Sequence, residues 1–169
     1  MRIVCRNDLN DLANLFADPD VVKYVGHGKP ASREEASKTV DSMIAHWQKH
    51  SFGRWIARDK VDGAFVGFGG LRSLFGTPEV VYHLAKDHWG KGLATELARA
   101  ALRFGFEDRG FDHIVAIAKP ANVASIHVMA KLGMQFEKHA CYYEIDVVQY
   151  GINRDAFRWN GSTYSLLPD

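Results

Sequence analysis

Between Thr77 and Glu107 the chain passes from a strand-like run into a long amphipathic segment through a turn holding Gly90 and Gly92. That passage constrains the fold more than any other stretch. Thr77 to Ala85 has the β-branched and aromatic content of a strand. From about Lys91 to Glu107, Leu93, Ala94, Leu97, Ala98, Ala101 and Leu102 form one apolar stripe, with Glu96, Arg99, Arg103 and Glu107 opposite. A helix with such a stripe needs a flat apolar surface to lie on. His113 to Ala118 is short, apolar and bounded by turns, and reads as an interior strand parallel to the one before the helix.

The other elements agree with a sheet carrying helices. Asp8 to Ala17 places Leu9, Leu12, Ala13 and Phe16 on one helical face, and Asp18-Pro19 ends or turns it. Ser32-Arg33-Glu34-Glu35 is a capping box. It opens a helix with Ala36, Val40, Met43, Ile44 and Trp47 on one side. Phe52 to Arg58 and Ala64 to Leu71 read as a strand pair turned at Asp62-Gly63, and Thr77 to Ala85 returns across Phe75-Gly76. Asn122 to Leu132 is a helix with Asn122 as N-cap and Gly133 as its left-handed stop. Met134 to about Arg154 is a final strand pair, and 159–169 is expected to be loop. Trp47, Phe52 and Trp55 are expected in the core. The whole is one mixed α/β domain.

Length and composition exclude several classes. A chain of 169 residues, 47% hydrophobic, can bury a core without disulfides or metals. A net charge of +1 gives no field that would recruit nucleic acid or an anionic membrane. No signal-peptide core or membrane-length apolar run is present, so a cytoplasmic protein is expected. Cys5 and Cys141 have no metal-like spacing and read as free thiols. His46 and His50 share a helical face at a spacing that can hold zinc. Trp47 stands where a zinc protease helix has glutamate, and no third ligand is evident, so a solvated polar face is expected and no metal.

A strand, a glycine turn and a helix start form an anion-binding device. The first turn of a helix presents unpaired N–H groups and partial positive charge. Glycine has no Cβ to keep a phosphate from those amides. Each charge-assisted hydrogen bond contributes about 1.5–3 kcal/mol. A Walker loop would need four residues between its glycines and then Lys-Ser or Lys-Thr. A dinucleotide fingerprint would need a third Gly or Ala at Thr95.

The segment Glu79-Val80-Val81-Tyr82-His83-Leu84-Ala85-Lys86-Asp87-His88-Trp89-Gly90-Lys91-Gly92-Leu93-Ala94-Thr95-Glu96 resembles the acetyl-CoA-binding motif of the GNAT acyltransferases, in its RimJ/RimL-like branch. Asn122-x-x-Ser125 with Lys131-Leu132-Gly133-Met134, Phe52-Gly53-x-Trp55 and Val66-Gly67-Phe68-Gly69-Gly70-Leu71 resemble further blocks of that branch, in order. The resemblance implies a single GNAT-like α/β domain over 1–169. Its mixed, mostly antiparallel sheet has six to seven splayed strands flanked by about four helices. It implies acetyl-CoA as donor and a peptide N-terminus or a small molecule as amine acceptor; no metal is expected, and monomer and homodimer both stay open. By position, backbone groups of Tyr82, His83 and Leu84 would hold the pantetheine arm. Trp89 and the amides of Gly90, Lys91, Gly92, Leu93, Ala94 and Thr95 would hold the pyrophosphate. Asn122 would bond the pantetheine chain or the sulfur side of the cofactor, and the Leu84 N–H would polarise the thioester carbonyl.

Three departures from the wider family matter. The Arg or Gln that often opens the pyrophosphate motif is Trp89, as is usual in this branch. The tyrosine that often serves as general acid falls at Met129, so Ser125 becomes the candidate acid. The glutamate some relatives use as base falls at Ile117. Deprotonating a lysine-type amine costs about 4–5 kcal/mol at pH 7, against about 1 for an α-amine, so an α-amine needs little help. Glu79, His83 and Glu144 are the candidate bases. The plainer readings are a solvated strand-end carboxylate for Glu79, a wet or packed imidazole for His83 and core packing for Tyr142 and Tyr143. Tyr24, His27 and Gly28 occupy a loop that borders the acceptor in relatives, and Lys91 is either a phosphate neighbour or merely exposed. Two other functions remain open on sequence alone: a non-catalytic acyl-CoA sensor and a nucleotide-phosphate binder.

Overall fold

The architecture comes from a computed structural model that describes residues 1–158, so the expected terminal loop at 159–169 lies outside the described residues. Seven strands form one sheet in the order β1-β2-β3-β4-β5-β7-β6. They are β1 (Arg2–Ile3), β2 (Arg54–Arg58), β3 (Phe65–Leu74), β4 (Thr77–Leu84), β5 (His113–Ala118), β6 (Gln135–Tyr142) and β7 (Ile145–Asn153). The helices are α1 (Leu9–Ala17), α2 (Pro19–Val22), α3 (Arg33–His50), α4 (Leu93–Arg103) and α5 (Val123–Lys131). Every pairing is antiparallel except β4 with β5.

Two apolar layers fix the helices. On one face, Leu12, Phe16, Val40, Met43, Ile56 and Phe68 pack α1 and α3 against the sheet. On the other, Trp55, Leu71, Ala98, Leu102, Ile114 and Met129 pack α4 and α5. Both layers follow the expected stripes. Gly69 on β3 sets how close α4 lies, because a Cβ there would stand 2.6 Å from Leu97. Ser32 caps α3 through the reciprocal bonds of its box: Glu35 N–H donates to Ser32 Oγ at 3.3 Å and Ser32 N–H to Glu35 Oε2 at 2.7 Å.

The segment expected as one helix to Glu107 divides in two. After Arg103 the chain widens into a π turn, Phe104–Asp108, closed by the Arg109 N–H on the Phe104 carbonyl at 3.0 Å. The His46 and His50 expectation of a solvated face is also corrected. His46 is half-buried; its Nδ1 meets the Phe52 carbonyl at 2.9 Å and its Nε2 accepts the Ser73 N–H at 3.0 Å. Both nitrogens are therefore engaged in tying α3 to the sheet. Burial pushes its pKa down, as the neutral ring requires. Among the described residues no group of three His, Cys, Asp or Glu gathers as a metal site, and no helix is long and apolar enough to cross a membrane.

The feature that positions the site is a parting of strands. β4 pairs with β5 only at Glu79 and Val115. Beyond that point the two strands separate, while β4 stays paired with β3 down to Leu84.

Candidate active site

The parting of β4 and β5 opens a cleft of about 940 Å³ through the sheet. Side-chain alternation gives it two sides. Tyr82 faces α5, where its hydroxyl lies 2.9 Å from Ser125 Oγ and donates to the Ser125 carbonyl at 3.1 Å. His83 faces the opposite way and stacks on Phe68 at 4.7 Å, in the layer under α1 and α3.

The backbone of β4 is similarly divided. The Ala85 N–H bonds the Val66 carbonyl at 3.0 Å. In an antiparallel ladder bonded pairs alternate, so His83 bonds towards β3 while Tyr82 and Leu84 turn their amides towards β5. Beyond the Glu79–Val115 bridge those amides border the cleft. Of the three residues expected to hold the pantetheine arm, the geometry thus presents two by backbone and His83 by side chain.

Past Leu84 the chain makes a short turn, Lys86–His88, and reaches the glycines. Trp89 donates its indole N–H to the Leu84 carbonyl at 2.9 Å, which pins the turn to the end of β4. Gly90 and Gly92 have φ of +73° and +80°, and no atom lies within 4 Å of where a Cβ would stand at either. Gly92 is the N-cap of α4, and no side chain caps that helix. Its first amides are therefore open to a ligand. Gly90, Gly92, Leu93, Ala94 and Thr95 all line the cleft, whereas Lys91 is exposed and lies outside the lining. The turn fits a diphosphate: it offers main-chain donors, a helix terminus and empty space above two glycines.

Asn122 caps α5, its Oδ1 accepting the Ser125 N–H at 3.2 Å. That leaves its amide NH2 as the part facing a ligand. Ser125 lines the same cleft, as do Ile117 and Met129, so the residues at the departed family positions do gather there. Burial pushes the Tyr82 phenol up to about 12, with the Ser125 hydrogen bond opposing the shift.

On the α3 side, Glu79 is a correction to the solvated carboxylate expected: it is 2% exposed. It accepts from Arg72 Nε at 2.5 Å and from the second guanidinium nitrogen at 3.2 Å. Burial pushes its pKa up, against the pull of Arg72 and Arg54. The His83 imidazole is neutral: desolvation, then Arg54 and Arg72, push it down to about 4. Its Nδ1 is buried with no partner. Tyr24, His27 and Tyr142 also line the cleft. Tyr142 is half-buried and donates to Gln149 at 2.7 Å, while Tyr143 is exposed and stacks on Phe75, so neither tyrosine packs in the core. Glu144, exposed in the β6–β7 turn at φ +61°, lies outside the lining, as does Gly28.

Two groups escaped the sequence reading. The side chain of Tyr82 was not singled out, nor was Arg54, which lines the cleft beside Arg72 and Glu79. Alternation along β4 was a usable signal for Tyr82. Arg54 sits in a strand beside Trp55 with nothing local to mark it.

Comparison with known proteins places this geometry. The family model described as the acetyltransferase (GNAT) domain matches residues 1–135. The chain is 35% identical to the uncharacterized protein YkkB of Bacillus subtilis, over 82% of this chain and 83% of that one. Among solved structures, an acetyltransferase (GNAT family) from Bacillus anthracis superposes with a TM-score of 0.79 at 25% identity, covering 91% and 93%. Spermidine N-acetyltransferase from Vibrio cholerae, in complex with CoA and spermine, shares the fold with a TM-score of 0.76 at 21% identity, covering 92% and 95%.

Proposed function

The chain belongs to the GNAT acetyltransferase family, and from that premise we propose that it moves an acetyl group from acetyl-CoA to a primary amine within the cleft. One observation carries the reading: the uncapped start of α4, with its two left-handed glycines, opens onto the gap where β4 leaves β5. A diphosphate on those amides sends its pantetheine arm between the strands, alongside Tyr82 and Leu84. A neighbour of the same fold is described in complex with CoA and spermine, a donor-derived cofactor and an amine together.

The transfer is a direct attack. The acceptor's neutral nitrogen forms a bond to the thioester carbonyl carbon as the carbon–sulfur bond breaks. The proton shed by nitrogen balances the departing thiolate. The Leu84 N–H stabilises the oxygen that gains charge. Ser125, backed by Tyr82, donates a hydrogen bond to the leaving sulfur. A phenol pushed up to about 12 holds its proton too firmly to hand it over; its part is to polarise Ser125, which it does when its one O–H turns from the Ser125 carbonyl to Oγ and leaves the serine proton for the sulfur. The base is assigned by burial: Glu79 lines the α3 side of the cleft, where burial raises its basicity, and it outranks His83, whose imidazole is a weak base at about 4.

The test is free-thiol release from acetyl-CoA across N-terminal peptides, amino acids, polyamines and aminoglycosides, with the product identified by mass. Amine-dependent thiol release with a product heavier by one acetyl group is expected. Tight acetyl-CoA binding without turnover on any amine would leave a sensor instead. Equal thermal stabilisation by ATP or NAD would return the turn to general phosphate binding.

A further inference from the structure

The α3 side of the cleft carries more positive charge than its fold consumes. Arg72 is paired with Glu79. Arg54 is not paired: among the described residues its guanidinium has no hydrogen bond and no ion pair, although it is enclosed deeply enough for desolvation to push its pKa down to about 10. It remains a cation at neutral pH. Arg54 is half-buried, with Glu79 as the nearby opposite charge that it shares with Arg72; a guanidinium drawn partly out of water with its donors unspent is a group that a ligand's anion can complete.

Charge around it points the same way. Glu79 lies within electrostatic reach of both arginines. Whether it is ionised or protonated, two guanidinium groups leave this end of the cleft net positive. His83 contributes no charge. The other carboxylate of the lining, Asp20, is held by Lys86 at 2.5 Å, and Lys23 adds a further cation at the same mouth. A polyamine or aminoglycoside would meet repulsion here.

Position sets the size of the anion's carrier. Arg54 stands across β3 from Val81, in register through Gly70. Val81 is three residues, or about 10 Å of strand, from Leu84, and two strand spacings of about 4.8 Å separate β2 from β4, so Arg54 and Leu84 lie about 14 Å apart along the sheet. An arginine side chain spans about half of that distance. What remains suits an acceptor whose amine and anion are separated by one or a few carbons.

We propose that the acceptor is an amino acid or a similarly short amine bearing a carboxylate, and that Arg54 receives that carboxylate. This rests on the acetyltransferase reading of the same cleft. A planar guanidinium with all its donors unspent matches a carboxylate in two parallel hydrogen bonds, which lysine cannot reproduce. The acceptor's nitrogen is then placed towards the Leu84 amide, and Arg54 is a specificity-determining group.

Matched pairs test it: each amino acid against its own carboxamide, with spermidine as the polycation. The carboxamide has the less basic amine, so more of it is neutral at pH 7. A preference for the acid therefore runs against nucleophile availability and reports recognition. For the best acid, kcat/KM is expected at least 10-fold above its carboxamide and above spermidine. In Arg54→Gln the ratio should fall to near one, mostly through KM. In Arg54→Lys it should fall part of the way. Affinity for acetyl-CoA serves as the check that each variant is folded. A binding arm needs no turnover: N-acetyl amino acid and N-acetyl amino amide are titrated into CoA-loaded protein, and only the acid should bind, about 10-fold more weakly in Arg54→Gln. Equal turnover of acid and carboxamide, or faster turnover of spermidine, overturns the carboxylate proposal while leaving an acetyltransferase. Acid-selective binding with no turnover on any amine supports Arg54 as the anion site and overturns the acetyltransferase reading.

Discussion

Asp8 and Glu79 are both buried carboxylates paired with arginine, at 0% and 2% exposure, yet their surroundings push them in opposite directions. Asp8 lies where the start of the chain meets α1. It accepts from Arg2 at 2.8 Å through Oδ2, from the same guanidinium through Oδ1, and from the Cys5 N–H at 2.9 Å. Arg58 stands 3.6 Å away. These donors outweigh desolvation, and its pKa is lowered. Glu79 has Arg72 alone as hydrogen-bond partner, and burial wins. Around Asp8 every valence is met inside the protein. In the cleft that Glu79 lines, a guanidinium, an imidazole nitrogen and a helix start are left open. The first arrangement fastens a fold, and the second awaits a ligand.

The largest expected effect comes from closing one of those open valences. Gly92→Asp places a carboxylate over the first amides of α4, where φ of +80° also strains any side chain. Loss of two or more charge-assisted bonds amounts to about 4 kcal/mol, or roughly 1000-fold in acetyl-CoA affinity. The fold should lose only about 1 kcal/mol from strain. Gly92→Ala carries the strain without the charge and separates the two. Titration calorimetry beside urea denaturation reads both quantities. Unchanged affinity in Gly92→Asp would remove the diphosphate from this turn.

The next effect contrasts the carboxylates directly. Asp8→Asn should cost about 3 kcal/mol in urea denaturation, because it leaves an arginine with part of its charge uncompensated, and it should leave acetyl-CoA affinity unchanged. Glu79→Gln should cost about 1 kcal/mol or less, since burial already disfavours its ionised form. Their pH signatures have opposite sign. A lowered pKa means that Asp8 stabilises the protein above its unfolded value near 3.8 and loses that contribution as pH falls through the native value. A raised pKa means that Glu79 binds its proton more tightly when folded, so its contribution declines as pH rises above about 4.5. Asp8→Asn should flatten the acid limb of stability against pH, and Glu79→Gln should remove the decline above about 4.5. Equal losses from the two variants would erase the contrast.

The contrast also marks what a sequence discloses. The capping box at Ser32, the glycine turn, the α4 stripe and the Asn122 cap are local signals, written within a few residues, and each helix starts where its signal placed it. Features set by neighbours distant in the chain were not legible. His46 reads as one of two imidazoles on a polar face until Ser73, 27 positions later, donates its N–H to it. Glu79 reads as a strand-end carboxylate until the hairpin folds Arg72 onto it. Arg54 is one arginine among many; only the assembled cleft shows that, among the described residues, its guanidinium makes no hydrogen bond or ion pair. The π turn at Phe104–Asp108 keeps the apolar stripe, so periodicity alone extends the helix through it.

The smallest effect probes the cofactor side of the same cleft. Tyr82 and Ser125 lie 43 positions apart and meet through one hydroxyl pair and one bond to a carbonyl. Tyr82→Phe removes a half-buried hydrogen bond, worth about 1 kcal/mol. If Tyr82 only braces α5, that loss appears in stability, and kcat stays as it was. If it polarises Ser125 towards the leaving sulfur, kcat falls about 3- to 5-fold, the same order of energy now spent in the transition state. A double-mutant cycle with Ser125→Ala separates the two. Coupling through the leaving group makes the kcat losses less than additive, because each variant already breaks the shared contact. Additive losses in kcat would assign Tyr82 to packing, and would move it from the open region of the molecule to the closed one.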